Sequence, residues 1–415
     1  MYSGLRAISR IASIAMLVSC VVLIGGCGRP PAKALKAGPD SPDSLIVRGA
    51  SHEENRDYEN ALSDYTKAIT IDPKNAKAYF NRGNVYHSMK KESEAIDDYD
   101  KAIELNPNDG LYYHNRGNAF LAVGDWDKAI ADFDKAVIID PNDAGAYANR
   151  ALAYGQRGQS DQAIDDCNRA VKLDPNRTEA YYERSRALFS LKRYEEAIDD
   201  LNRMIKVYPR NAFLFYRRGI SNYMILEKSF SGPGREAYSS ALKGVISDLS
   251  TAIEIDPSYA DAYCYRGFVY EAVGDIDSAI SDYSKVIEIE GGYPNIYYYR
   301  ARAYDRKGYC DKSISDLDIA IKSDPGNPAA YYCRGREYGR KFEYDKAILD
   351  FDKAIEIDSG SGISYYGRAC CYYYKGDYEK GLQDIRKAES FGYKVDPELA
   401  RKFELLSGKN EIINK

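Results

Sequence analysis

Prolines stand at 73, 107, 141, 175 and 209, each 34 residues after the last, and the register resumes through Pro257, Gly291, Pro325 and Ser359. The step from Pro209 to Pro257 is 48 residues, one period plus a 14-residue insertion. A period of this length, sustained through most of a 415-residue chain, predicts stacked supersecondary units rather than one globular core. The composition agrees. There are 39 Tyr against 12 Phe and one Trp, and an elongated stack lets each ring bury its body while the hydroxyl reaches water.

Numbered so that the proline falls at position 32, ten units begin at Pro42, Ala76, Gly110, Ala144, Thr178, Ala212, Ala260, Pro294, Pro328 and Gly362. Position 4 is aromatic in nine of them, position 8 is small in all ten, and position 11 is often aromatic. That spacing by three and four makes one stripe on a helix. Gly124, Gly158, Gly274, Gly308 and Gly376 sit where a left-handed cap ends this first helix, and Asp125, Asp275 and Asp377 follow as N-caps of a second. The second helix carries Ala at 20 and 27 around a larger residue at 24. Beyond the repeats, Asp396-Pro397 opens a last helix with Leu399, Phe403 and Leu406 on one face and Gly408 as its stop, placed to cover unit ten.

The spacing, the small residue at 8, the alanines and the terminal proline resemble the tetratricopeptide repeat (TPR) family. The resemblance implies an all-α, right-handed superhelical solenoid of about ten 34-residue helix-turn-helix repeats over residues 42–395, with a C-terminal capping helix and tail at 396–415. Two departures stand out. Repeat six, 212–259, holds the 14-residue insertion, where Leu226–Ser240 with Gly232-Pro233-Gly234 is read as a lengthened turn. In repeat ten Gly381 replaces the Ala of position 20.

Position 7 is Arg in every repeat, from Arg48 to Arg368, and position 23 is Asp in every repeat, from Asp64 to Asp384. A ladder that binds a polyanion would need one sign only. Equal recurrence of both signs predicts a structural pair, within a repeat or across to the next, that fixes register.

In the TPR family the inner surface is formed mainly by first-helix positions 2, 5, 9, 12 and 13. Carried over, repeats five and six present Tyr182, Phe189, Phe213, Tyr216 and Tyr223. Repeats eight to ten present Tyr298, Arg302, Arg306, Tyr332, Arg336, Arg340, Tyr366 and Tyr373. Tyr and Arg make rigid, energetic contacts, and Arg takes carboxylates bidentately, so the expected ligand is an extended or helical protein segment. Members that hold chaperone tails use Lys at position 5, where this chain has Phe80 and His114, so that clamp is not expected. Three histidines, two of them on inner positions, make no metal motif. There is no phosphate loop or nucleophile elbow, and the net charge of −5 gives no field for nucleic acid. The reading is therefore non-catalytic, with no cofactor. Cys333 is a candidate for pairing with Cys370 or Cys371 in an oxidising compartment.

The chain start has Arg6 and Arg10 before an uncharged run from Ile11 to Gly26, too short for a membrane span and patterned as a secretory signal. Ile24-Gly25-Gly26-Cys27 resembles the lipobox of bacterial lipoproteins. That implies cleavage of a signal peptide at 1–26, a lipidated Cys27, and a flexible Pro-rich tether over 27–41. Gly28 favours the outer membrane, facing the periplasm, in a Gram-negative cell. The expected function is a protein-interaction scaffold at the cell envelope. The alternative is a periplasmic receptor for a small molecule or glycan in the same groove.

Overall fold

The structure is a computed structural model that describes residues 40–229, 235–290 and 294–413. The expected signal peptide, Cys27 and most of the tether lie outside the described residues. Among the described residues there are 21 α-helices: ten helix pairs, from Pro42–Glu54 with Tyr58–Ile71 to Gly362–Lys375 with Tyr378–Ser390, and a last helix Pro397–Ile413. They divide into two compact units, Met1–Pro209 and Arg210–Lys415. Within each unit a helix packs on its sequence neighbours, and successive first helices also touch.

The local chemistry sets each boundary. Asp57, Asn75, Asp125 and Asp143 accept from the backbone N–H three residues on, at 2.9 to 3.4 Å, which satisfies helix-start donors that have no partner inside the helix. Pro328 follows the Asn327 cap in the first turn, where its missing N–H costs nothing. Between the paired helices, position 15 has positive φ in nine repeats. Five of these are the predicted glycines, and the others are Arg56, Lys90, Lys192 and Phe342, with φ of 59 to 61°.

Position 8 and position 24 are matched in volume. Where position 8 is Gly, the second helix usually brings a fully buried ring against it: Tyr65 on Gly49, Tyr99 on Gly83, Phe133 on Gly117, Tyr283 on Gly267. A Cβ at Gly117 would lie 2.8 Å from Phe133 Cε1. Where position 8 is Ala or Ser, position 24 shrinks, giving Ala151 with Cys167, Ser185 with Leu201, Ala301 with Leu317 and Ala369 with Ile385. Buried tyrosines keep a partner for the hydroxyl: Tyr99 donates to Asn84 at 2.8 Å and Tyr283 to Glu271 at 2.6 Å.

Three expectations are refined. The repeat-six insertion does not simply lengthen a turn. Its flanks are helical, so that Ala212–Ser229 has 18 residues and Arg235–Ile255 has 21, against 13 or 14 in most helices of the other repeats, because the residues around Gly232-Pro233-Gly234 are ordinary helix formers. Gly381 has a reason: Phe403 of the last helix is fully buried in the space a side chain would take, its Cε1 overlapping the place of a Cβ. The last helix also runs past Gly408 to Ile413, since a glycine inside a helix costs about 1 kcal/mol and does not forbid it.

The volume match is testable by urea unfolding. Gly117→Ala alone is expected to destabilise by about 2 kcal/mol through overpacking. Adding Phe133→Leu, which copies the Ala301–Leu317 pair, should recover at least about half of that loss, because the two changes share one space.

Candidate functional site

The invariant Arg and Asp form a clasp. In repeat four, Nε and Nη2 of Arg150 donate to the two carboxylate oxygens of Asp166 at 2.6 and 2.7 Å. The same fork recurs within each repeat, from Arg48–Asp64 through Arg218–Asp248 to Arg368–Asp384. The remaining nitrogen, Nη1, reaches back to position 25 of the preceding repeat: Asp134 for Arg150, Asn168 for Arg184, Ser284 for Arg300, Asp318 for Arg334. Rings at positions 4 and 11 lie on the guanidinium, as Tyr147 and Tyr154 do on Arg150 at 5.4 and 5.9 Å. Much of the tyrosine excess is thus spent on Arg rather than on a ligand. Burial pushes the Asp166 carboxyl up and the Arg150 fork pulls it back, while Arg150 is raised still further as its two carboxylate partners outweigh its own burial. The 2.6 Å geometry is that of an ion pair.

With positions 4, 7, 8, 11, 20, 24 and 27 used in this way, first-helix positions 5, 9, 12 and 13 are where repeats differ. In repeats two and three they include Asn84, His87, His114 and Asn118, and the amides are met by asparagines at position 6 of the next repeat. Asn115 donates to Asn84, and Asn149 to Asn118, each at 2.8 Å. His114 Nδ1 meets Asp143 at 2.6 Å. Tyr182 lies under Arg186 at 5.8 Å, which is itself held by the buried Glu183 at 2.9 Å, and Phe189 packs edge-on against Tyr194 at 5.1 Å.

In the second unit Phe213 is half-buried beneath Arg217, and Tyr223 donates to Glu227 at 3.1 Å. Tyr216 is only 8% exposed. It packs on Tyr259 and Tyr265 at 4.9 and 5.8 Å, so it is a core ring in this structure, continued by Tyr265, Phe268 and Tyr299, which the sequence reading did not single out. Tyr298 stacks with Arg302 and burial pushes its phenol up to about 12.

The predicted arginines are brought together, and each pair is met by an acid. Arg302 and Arg306 approach Glu271 at 3.9 and 3.8 Å. Arg336 and Arg340 both reach Asp305, and Arg340 also meets Glu337 at 3.2 Å. Glu271 and Asp305 occupy position 12 of one repeat while the arginines occupy 9 and 13 of the next. Comparing positions 12, 9 and 13 across adjacent repeats would have found this ladder. Tyr366 packs on Tyr393 at 4.9 Å and Tyr373 on Phe403 at 5.4 Å, so both belong partly to the end cap. Tyr332, Arg336, Arg340 and Tyr366 share a pocket of about 360 Å³ between repeats nine and ten. The six described cysteines are free thiols, including Cys333, Cys370 and Cys371. Among the described residues no group of three or more His, Cys, Asp or Glu is placed to hold a metal, and no helix is long and apolar enough to cross a membrane.

Glu337 gives this cluster a pH signature. Its side chain is 0% exposed, and burial, then the neighbouring Asp305, raises its carboxyl above 4.5. The folded chain therefore holds this proton more tightly than the unfolded one. The contribution to stability is full below pH 4.5 and is lost as pH rises through the folded value. Glu337→Gln should flatten that part of the melting temperature against pH profile; an unchanged slope above pH 4.5 would contradict the assignment.

Matches to known repeat families cover more than half of the chain. Models described as tetratricopeptide repeat match residues 76–109, 144–177, 98–131, 249–281, 178–211 and 298–362, and one described as TPR repeat matches 52–90 and 117–158. A search of curated proteins finds no match. Among solved structures, the chain is similar to a tetratricopeptide repeat protein from Parabacteroides merdae, at 18% identity over 63% of this chain and 98% of that one, with a TM-score of 0.43. It is also similar to residues 41 to the end of MamA from Desulfovibrio magneticus RS-1, at 22% identity over 44% and 94%, with a TM-score of 0.39. A third is a thermophilic TPR protein of Thermus thermophilus, at 21% identity over 50% and 99%, with a TM-score of 0.36. Family assignment rests on the repeat matches, which run through both units and of which 76–109, 144–177 and 178–211 each span one helix pair: this chain belongs to the tetratricopeptide repeat family.

Proposed function

We propose that this chain is a non-catalytic scaffold at the bacterial cell envelope, anchored by lipid on Cys27, that binds a segment of a partner protein along its first-helix inner positions. Tetratricopeptide repeats in general support protein interaction. The observation that carries the finer reading is the division of labour along each first helix. Positions 4, 7, 8 and 11 serve the clasp and the core. Positions 5, 9, 12 and 13 change from Phe80, Asn84, His87 and Ser88 in repeat two to Tyr332, Arg336, Gly339 and Arg340 in repeat nine. A surface that varies on a fixed frame suits recognition of one particular partner. The lipobox-like Ile24-Gly25-Gly26-Cys27 supports the anchor.

Two measurements test this. Fatty-acid labelling should mark the wild-type chain and not Cys27→Ala, and equal labelling removes the anchor. A photocrosslinking residue at position 302 or 332 should capture a polypeptide in cells; retention of a glycan or metabolite instead would favour a small-molecule receptor.

A further inference from the structure

The Arg–acid ladder of the second unit has two rungs, and a pocket lies beyond the second of them. Between repeats seven and eight, Glu271 sits between Arg302 and Arg306; between eight and nine, Asp305 sits between Arg336 and Arg340. At the same register between nine and ten, Gly339 stands opposite Cys370 and Tyr374, with neither acid nor arginine. A Cβ added at Gly339 would find its nearest neighbour, Cys371 Sγ, only at 4.0 Å. The ion pair is replaced by a void of about 360 Å³.

Rings wall this void. Tyr344 and Tyr374 lie parallel, 5.3 Å apart with 6° between planes, and Phe351 lies behind Tyr332 at 5.9 Å. Phe342 sits in the turn between the helices of repeat nine, with a left-handed φ of 61°. Phe342 and Tyr374 are 77% and 67% exposed, and large exposed rings beside an apolar hollow mark a recognition surface. Arg336 and Arg340 line the same pocket with side chains 37% and 45% exposed. The buried Nε of Arg336 has no hydrogen-bond partner. Of the two acids beside them, Glu337 is wholly buried and one Asp305 carboxylate is shared by both guanidiniums, which leaves each able to take a further acceptor.

We infer that this pocket receives the aromatic side chain of an extended partner segment, with an Asp or Glu next to that residue reaching Arg336 and Arg340. The reading rests on the scaffold function proposed above and names what one part of its surface takes. A ring fills the hollow and stacks on tyrosines, and a carboxylate at the cationic edge forms charge-assisted bonds. A neutral glycan fits less well, because it brings no carboxylate to the two guanidiniums.

The test uses the full chain and a peptide blocked at both ends, acetyl-Gly-Asp-Trp-Asp-Gly-amide, read by isothermal titration calorimetry. Exchanging Trp for Leu, or both Asp for Lys, should each weaken binding about tenfold. Gly339→Leu, whose side chain enters the open pocket, should weaken it at least about tenfold while helical circular dichroism is unchanged. Gly155→Leu, the same position in repeat four, should stay within about twofold of wild type. The proposal is overturned if the peptide shows no binding up to about 1 mM, if Leu or Lys peptides bind as well, or if Gly339→Leu binds as wild type does. Repeating the cellular crosslink with Gly339→Leu separates the two readings. Undiminished capture of the same polypeptide by the variant removes the pocket and leaves the scaffold, whereas no polypeptide captured by wild type removes both.

Discussion

The Arg–Asp clasp is the interaction on which the repeat geometry depends. A guanidinium has five donors in one plane, and here that plane ties three helices. Nε and Nη2 lock the first helix of a repeat to its own second helix, and Nη1 reaches the second helix of the repeat before. For Arg150 those partners are Asp166 and Asp134, so one side chain sets both the pairing within a repeat and the stacking between repeats. Its exposure follows. The Arg150 side chain is 12% exposed between neighbours, whereas Arg48 of the first described repeat is 45% exposed. Burying such a pair adds little net stability, but removing one partner strands a buried charge at a cost of about 3–5 kcal/mol. The clasp therefore selects one register more than it deepens the fold.

Around the clasp, close approach is set by volume. Gly117 admits Phe133 and Ala301 admits only Leu317, so the two helices of each pair meet through different residues of matched sum. The end cap uses the same logic. Gly381 looks like a defect in the repeat until Phe403 is seen to fill its place. Once core and clasp are complete, the first helices still have a face to vary. Repeats two to four spend part of it on an asparagine and histidine network, and repeats seven to ten on arginine–acid bridges and one aromatic hollow.

Periodicity made most of the fold legible. The Arg and Asp columns announced a structural pair, but not that Nη1 would reach across to position 25, because Thr66, Asp134, Asn168 and Ser250 share only the ability to accept. Nor did the sequence reading separate Tyr216, a core ring, from Tyr332, a pocket wall, since both hold position 5. What distinguishes them is the neighbour: Tyr259 and Tyr265 close over Tyr216, while Gly339 leaves room beside Tyr332. The sequence marks the arginines as ligand-binding groups but not their partners Glu271 and Asp305, which lie 31 to 35 residues away, one repeat back. Local turn chemistry misled at Gly408, where the helix continues, and at the repeat-six insertion, whose ends extend helices instead of a loop.

The division between a fixed frame and a variable face rests on the clasp being structural. A double-mutant cycle in repeat four tests this most directly, with Arg150→Gln, Asp166→Asn and both together measured by equilibrium unfolding. Each single change should cost about 3 kcal/mol, and the double change little more than one of them, a coupling of about 2 kcal/mol or greater. Additive costs with no coupling, or singles that leave stability intact and abolish only partner capture, would contradict the account.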